Sequence, residues 1–309
     1  MTVDAAGKPT GSLWLALLGT RVDFLGNRYR TRVIENGEGH PLVLLHGNGG
    51  HAESYARNVR RLGAAGYRAM AIDLLWHGLS SKPAFEPDMV PAYARQILDL
   101  LDSEGIEKAH FEGESLGGWV CLWLALHHSD RVGRLVLNTT AGIRWKAGSV
   151  AEDVAGGREA LRARSLDALR NPSREKVRRR LEWLVADPAL VTDELVELRH
   201  FMMTEPTGRE ARLRIAENSF GFGSGARAEI DEARLADVAA ETLVLWTDHN
   251  PGHGPDTGRR IAGLIPRARF RLIEDAAHWP QWERPLEHDR AVIGFLDGAL
   301  DDSPKEQDA

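Results

Sequence analysis

The chain has 309 residues, which suits one large domain or one domain carrying an insertion, and its 43 % hydrophobic content supplies a sizeable core. A formal charge of −6 argues against nucleic-acid binding; the basic run Arg174, Lys176, Arg178, Arg179 and Arg180 lies among acids and reads as a solvated helix face. The single cysteine, Cys121, excludes an intramolecular disulfide and fits a reducing compartment, so a soluble cytoplasmic protein is expected.

Leu13-Trp14-Leu15-Ala16-Leu17-Leu18 has the apolar character of a signal-peptide core. It is short, follows a single Lys8 and lacks a convincing cleavage site, so a short helix packed on the body is expected. No apolar run approaches the ~20 residues of a membrane span. Residues 21–35 predict two antiparallel strands joined near Gly26-Asn27. Pro41-Leu42-Val43-Leu44-Leu45 is a continuous apolar run, the pattern of a parallel strand buried on both faces. The same pattern recurs at Tyr67 to Ile72, Val132 to Leu137, Thr242 to Trp246 and Phe270 to Ile273. Helix-like stretches lie between these runs, at 52–64, 91–104, 116–128 and 256–264, with a last helix at about 285–299. The alternation predicts an α/β fold, a mostly parallel sheet flanked by helices. It breaks at 142–239, a stretch rich in Arg, Glu, Ala and Leu, which reads as an all-helical cap between two parts of the core (1–141 and 240–300). Asn171-Pro172-Ser173 and Thr192-Asp193-Glu194 are helix starts, Asn218 to Gly225 is a loop with two aromatics, and 301–309 is a polar tail. Such a cap covers the strand C-termini, where open α/β sheets hold their ligands.

The chemistry centres on Gly113-Glu114-Ser115-Leu116-Gly117, which follows the apolar segment Ala109 to Phe111 and precedes a helix-like run. A serine on a sharp strand-to-helix turn stands exposed above a sheet, with the helix N-terminus aimed at developing negative charge. Its hydroxyl needs a base. His278, after the last strand and before the last helix, has the right place among the 12 histidines to be that base. Two backbone N–H groups are needed for the oxyanion. Leu116 supplies one and Asn48, in the turn His46-Gly47-Asn48-Gly49-Gly50, the other; Asn48 can also direct its side-chain amide inward, and Gly47 is expected to face the substrate. The group behind the histidine falls in Thr247-Asp248-His249-Asn250-Pro251-Gly252-His253. Asp248 is the carboxylate there and is preferred; Asn250 is the alternative, able to orient the ring but uncharged. In the serine-protease triad an Asp-to-Asn change lowers turnover by about four orders of magnitude. His249 and His253 lack helical spacing and a nearby third ligand, so no metal is expected, and no cofactor is implied. Cys121, early in the helix after Ser115, is expected to be buried and inert.

With these residues in place, the chain resembles the α/β-hydrolase superfamily. The resemblance rests on the serine turn, His-Gly-x-Gly, Asp73 followed by His77-Gly78-x-Ser80, and the late histidine. His278-Trp279-Pro280-Gln281-Trp282-Glu283 and Gly49 to Asn58 are similar to the meta-cleavage product hydrolases, which cut a carbon–carbon bond in ring-opened aromatic catabolites. Thr192 to Arg199 resembles the cap segment whose arginine binds the substrate carboxylate. The resemblance therefore implies Arg199 as a carboxylate anchor, Trp279 as a pocket wall, and a 2-hydroxy-6-oxo-dienoate substrate. It implies ketonisation of the dienol, addition of water or Ser115 at the distant carbonyl, then cleavage. Relatives are often dimers or larger, so a homo-oligomer is possible. The chain departs from the pattern at Asn250, at Trp76, where a glycine is common, and at Glu114 and Leu116 beside the serine. A guanidinium at position 199 can hold a carboxylate bidentately; the plainer alternative is a surface arginine paired with Glu194 or Glu197. Two rival functions stand beside the preferred one: a carboxylesterase or lactonase with the same machinery, and a ligand-binding protein with weak catalysis.

Overall fold

The computed structural model describes residues 2–3, 9–146, 157–218 and 228–299. Its centre is an eight-stranded sheet. In chain order the strands are β1 (Arg21–Leu25), β2 (Thr31–Asn36), β3 (His40–Leu45), β4 (Tyr67–Ile72), β5 (Ala109–Glu114), β6 (Val132–Asn138), β7 (Thr242–Thr247) and β8 (Ala268–Ile273). They lie side by side as β1-β2-β4-β3-β5-β6-β7-β8. β1 pairs antiparallel with β2, and β2 with β4; every other pair is parallel.

The continuous apolar runs of the central strands are buried on both faces, as their pattern requires, whereas the run at 270–273 lies at the sheet edge with Arg271 exposed. Val43, Leu45, Met70, Ile72, Leu137 and Val244 face one core, and Leu42, Leu44, Ala69, Ala71, Val136 and Leu243 face the other. Helices cover each side. The first core is closed by α2 (Met89–Ser103), α3 (Leu116–His127) and α8 (Pro255–Leu264), the second by α1 (Val59–Ala64) and α9 (Pro285–Leu296). Each such buried aliphatic side chain contributes about 1.5–3 kcal/mol. Among the described residues no helix is long and apolar enough to cross a membrane.

Between β6 and β7 the chain leaves the sheet for α4 (Gly157–Arg170), α5 (Arg174–Glu182), α6 (Asp193–Thr204) and α7 (Arg209–Asn218). Ser173 and Thr192 cap α5 and α6 through their hydroxyls. These helices share a third core in which Leu166, Val177, Leu181, Leu195 and Val196 meet Trp279 and Trp282 of the histidine loop. The cap thus packs directly on the loop that carries His278. It is not wholly helical: Ile143–Arg144 pairs in parallel with Ile230–Asp231 where the chain enters and leaves the cap. At the N-terminus Leu13–Ala16 forms the expected one-turn helix, held to the cap by Glu194, which accepts from the Leu13 N–H at 2.7 Å. The aromatic loop beyond Asn218 and the polar tail lie outside the described residues.

Candidate active site

β5 delivers Ser115 into a backbone conformation of φ +52° and ψ −109°. For a residue with a side chain this region costs about 1–3 kcal/mol and persists only when the surroundings enforce it. Three hydrogen bonds enforce it. Ser115 N–H donates to the Asn138 carbonyl at 3.0 Å, and the Trp119 and Ala141 N–H groups both donate to the Ser115 carbonyl at 3.1 Å. A Cβ at Gly113 would lie 2.2 Å from the Gly117 backbone, and one at Gly117 would lie 2.1 Å from the Leu45 carbonyl oxygen. The glycines of the turn therefore permit helix α3 to start against β5 and β3.

The loop before Asp73 is equally constrained. His46 is fully buried, and burial holds it neutral, well below its ordinary range. Its Nδ1–H donates to the Gly47 carbonyl at 2.7 Å, and its Nε2 accepts from the Leu74 N–H at 3.1 Å. This pins the turn that carries Asn48. Asp73 accepts from the Ala52 and Leu79 N–H groups at 2.7 Å, and Ser80 Oγ donates to the Asp73 carbonyl, also at 2.7 Å. The Asp73-His77-Gly78-x-Ser80 pattern thus builds loops. Trp76, the departure noted in the sequence, sits at φ +63°, which explains why glycine suits that place; its indole donates to the Pro83 carbonyl at 2.8 Å.

His278 is clamped through its neighbours. Glu283 Oε1 accepts from the N–H groups of Ala277 and Trp279 at 3.0 Å each, and its Oε2 accepts from Ala186 of the cap at 2.6 Å. Burial pushes the Glu283 carboxyl up from its ordinary range. The His278 N–H donates to the Leu184 carbonyl at 2.9 Å, a second stitch to the cap.

The imidazole meets Asn250, whose Oδ1 is 2.7 Å from Nδ1. Asn250 Nδ2 donates to the His253 carbonyl at 2.9 Å, so its oxygen is left to accept and His278 Nδ1 carries a proton. The preference for Asp248 is corrected here. Its carboxylate accepts from the N–H groups of Asp275 and Ala276 at 3.0 and 3.3 Å and does not touch the ring. It braces the histidine loop from outside, two positions too early along β7's exit to reach the imidazole. Asp248, His249 and Asp275 form an exposed cluster within 4.8 Å, whereas His253 lines the main cavity.

Ser115, His278, Asn48 and Leu116 border one cavity of about 120 Å³. Its walls include Trp119, Trp145, Trp183 and Trp246. Asn48 Nδ2 is buried without a partner. A smaller annex between Ser115 and the cap is lined by Gly47, Glu114, Arg180 and Trp279. His278 Nε2 faces the Oε1 of Glu114 at 3.1 Å. Among the described residues no side-chain hydrogen bond joins Ser115 to His278.

Arg199 is 1 % exposed, and among the described residues none of its guanidinium nitrogens has a hydrogen-bond partner. It lies 5.4 Å over the Trp279 ring, itself buried. The surface alternative is excluded, since Glu194 caps Leu13 and Glu197 pairs with Arg174. Burial, and then the neighbouring charge of Arg180, bring its pKa down to about 9. Arg180 is also buried, which brings its pKa to about 10. Its Nη2 donates to the Asn48 carbonyl at 2.9 Å and its Nε to Ser165 Oγ at 3.0 Å.

Arg180 and Glu114 are the residues that sequence reasoning missed. Arg174, Lys176, Arg178 and Arg179 do pair with acids, as a solvated face should. Arg180 shares the spacing of buried Val177, Leu181 and Leu184, and that helical periodicity was the available signal. For Glu114 the signal was an ionisable residue inside the apolar approach to the nucleophile.

Comparison with known proteins agrees with this geometry. Residues 40–285 match the family model described as alpha/beta hydrolase fold. A 2-hydroxy-6-oxononadienedioate/2-hydroxy-6-oxononatrienedioate hydrolase of Burkholderia vietnamiensis is 30 % identical over 276 residues, covering 88 % of this chain and 92 % of that protein. A 2-hydroxy-6-oxo-6-phenylhexa-2,4-dienoate hydrolase of Comamonas testosteroni is 30 % identical over 270 residues, covering 85 % of this chain and 89 % of that protein. Among solved structures, a meta-cleavage product hydrolase from Pseudomonas fluorescens IP01 superposes with a TM-score of 0.75 at 27 % identity, covering 93 % of this chain and 100 % of the other.

Proposed function

The chain belongs to the α/β-hydrolase family, and on that premise we propose that it hydrolyses a carbon–carbon bond in a 2-hydroxy-6-oxo-dienoate with an apolar distal group. The observation that carries this reading is the buried guanidinium of Arg199, which has no hydrogen-bond partner among the described residues. A buried charge without a counter-ion is costly, and a ligand carboxylate would supply one. Arg180, in the annex beside Ser115, adds a second cation on the same side. A neutral ester has no use for either.

The other side of Ser115 differs in kind. Four tryptophans line it, the described lining residues include no Lys or Arg, and Glu229 is among them. That surface favours a phenyl or alkyl group and opposes a second carboxylate. The substrate then lies with its acid end toward Arg180 and Arg199 and its keto end in the tryptophan-lined cavity.

In this pose the Ser115 hydroxyl adds to the distal carbonyl carbon. The Oγ–H proton passes to His278 Nε2, and the carbonyl electron pair moves onto oxygen, where the N–H groups of Asn48 and Leu116 receive it. Collapse breaks the carbon–carbon bond. The electron pair leaves into the dienolate that the ketonised form allows, with its charge on the 2-oxygen, and the proton from Nε2 passes to that oxygen to give the 2-hydroxydiene. Water then releases the acyl group from Ser115. Incubation with 2-hydroxy-6-oxo-6-phenylhexa-2,4-dienoate should yield equal amounts of benzoate and 2-hydroxypenta-2,4-dienoate by NMR. Rapid turnover of p-nitrophenyl esters with no consumption of the dienoate would overturn the proposal.

A further inference from the structure

We propose that Glu114, the residue before the nucleophile, is the charge partner of His278, placing at Nε2 the negative charge that Asn250 does not supply at Nδ1. The inference rests on His278 being the base for Ser115. It follows from a proton count. Nδ1 carries a proton because Asn250 Oδ1, 2.7 Å away, can only accept. A neutral ring would then have a bare lone pair at Nε2, and that lone pair faces Glu114 Oε1 at 3.1 Å. Two acceptors do not sit at this distance, so one proton is shared between Nε2 and the carboxyl group. The second oxygen, Oε2, accepts from the Gly47 N–H at 2.7 Å and has no room for that proton.

The site is built for the carboxylate. Glu114 is 2 % exposed. A Cβ at Gly47 would fall 2.3 Å from Oε2, so a larger residue there would push this carboxylate aside. The charged and titratable groups around the pair are Arg180 and Arg199 from the cap, Glu283 from the histidine loop, and Tyr55 beneath the sheet end. Release of the shared proton to solvent leaves Nε2 bare and Glu114 ionised; during addition the Ser115 Oγ–H bond then breaks and the Nε2–H bond forms. Glu114 keeps its own bonds and offsets the imidazolium charge that appears 3.1 Å away. An acid behind the ring does the same work in the usual triad.

The test is the second-order rate of fluorophosphonate labelling at Ser115, followed by intact mass across pH. It compares wild type, E114Q, E114A, N250D, the E114Q/N250D pair and H278A. E114Q should label about 100-fold more slowly at its optimum. The acid limb of its pH profile should move to lower pH, because without the anion the ring gives up its second proton more readily. The E114Q/N250D pair should recover at least tenfold, with the limb moved back up. E114A, which leaves a hole in place of the carboxylate, should be accelerated by added formate; this arm decides the matter if E114Q does not fold. Wild-type rates in E114Q, or a loss with an unmoved limb and no rescue by N250D or formate, would overturn the proposal. Undiminished labelling of H278A would instead remove the premise that His278 is the base.

Discussion

Replacing Arg199 by methionine should make the protein more stable and a poorer enzyme at once. Its guanidinium is buried, and its surroundings bring the pKa from 12.5 to about 9, which at ~1.4 kcal/mol per pKa unit is a penalty on the order of 5 kcal/mol on the charged form. The pKa is lower in the folded than in the unfolded chain, and the group is a base. The penalty is therefore complete at neutral pH and is relieved only as pH rises through the folded value of about 9. Methionine fills similar space without the charge. Exchanges of buried ions for apolar residues gain about 1–4 kcal/mol, and loss of the desolvated contact with Trp279 takes back about 2 kcal/mol, so the upper part of that gain sets the sign. In calorimetry the net gain should appear as a melting temperature raised by several degrees. The acid-end product, 2-hydroxypenta-2,4-dienoate, should stabilise wild type by mass action and stabilise the variant much less. In the dienoate assay kcat/KM should fall about 100-fold or more, the usual effect of truncating a buried charged contact. A variant that is destabilised and turns over the dienoate at the wild-type rate would refute the idea that this guanidinium is held in readiness for an anion.

Three further outcomes are expected. Ser115→Gly should abolish fluorophosphonate labelling yet hold or raise stability by ~1 kcal/mol, because glycine accepts the left-handed backbone at this turn without strain; urea unfolding measures it. Asn250→Ala should slow labelling at least ~10-fold, whereas Asp248→Ala should keep most of the rate and lose only ~1–2 kcal/mol of stability for two orphaned backbone donors. Glu283→Ala should lower the melting temperature and kcat together, since three N–H groups lose their acceptor and the His278 backbone keeps only its Leu184 tie to the cap; an unchanged kcat in a folded variant would place the anchoring of His278 elsewhere.

The sheet and the serine turn were legible because their signals are local. Apolar runs such as Leu42 to Leu45 are long enough to demand burial on both faces, and Ser115 announces itself through glycines that a helix start requires. His278 was found by its place in the strand order. The group behind it was misjudged because charge was weighed ahead of reach. Asp248 has the better chemistry, but only Asn250, two residues further from the strand, comes to 2.7 Å of the ring. Glu114 and Arg180 were hidden for another reason. Each meets its partner only after folding, Glu114 across the sheet end at Gly47 and Arg180 from the cap at Asn48, so the local signals at these positions mark burial and do not name the partner. The cap's helices were visible by composition, while the short pairing of Ile143–Arg144 with Ile230–Asp231 is too brief to carry a periodicity.

Everything in this account depends on Ser115 being made nucleophilic by His278. Peptide mapping after reaction with a fluorophosphonate examines that dependence directly. A single adduct on the peptide containing Ser115, absent in Ser115→Ala and strongly diminished in His278→Ala, is the predicted result. An adduct on another residue, or full labelling of Ser115 in His278→Ala, would contradict it.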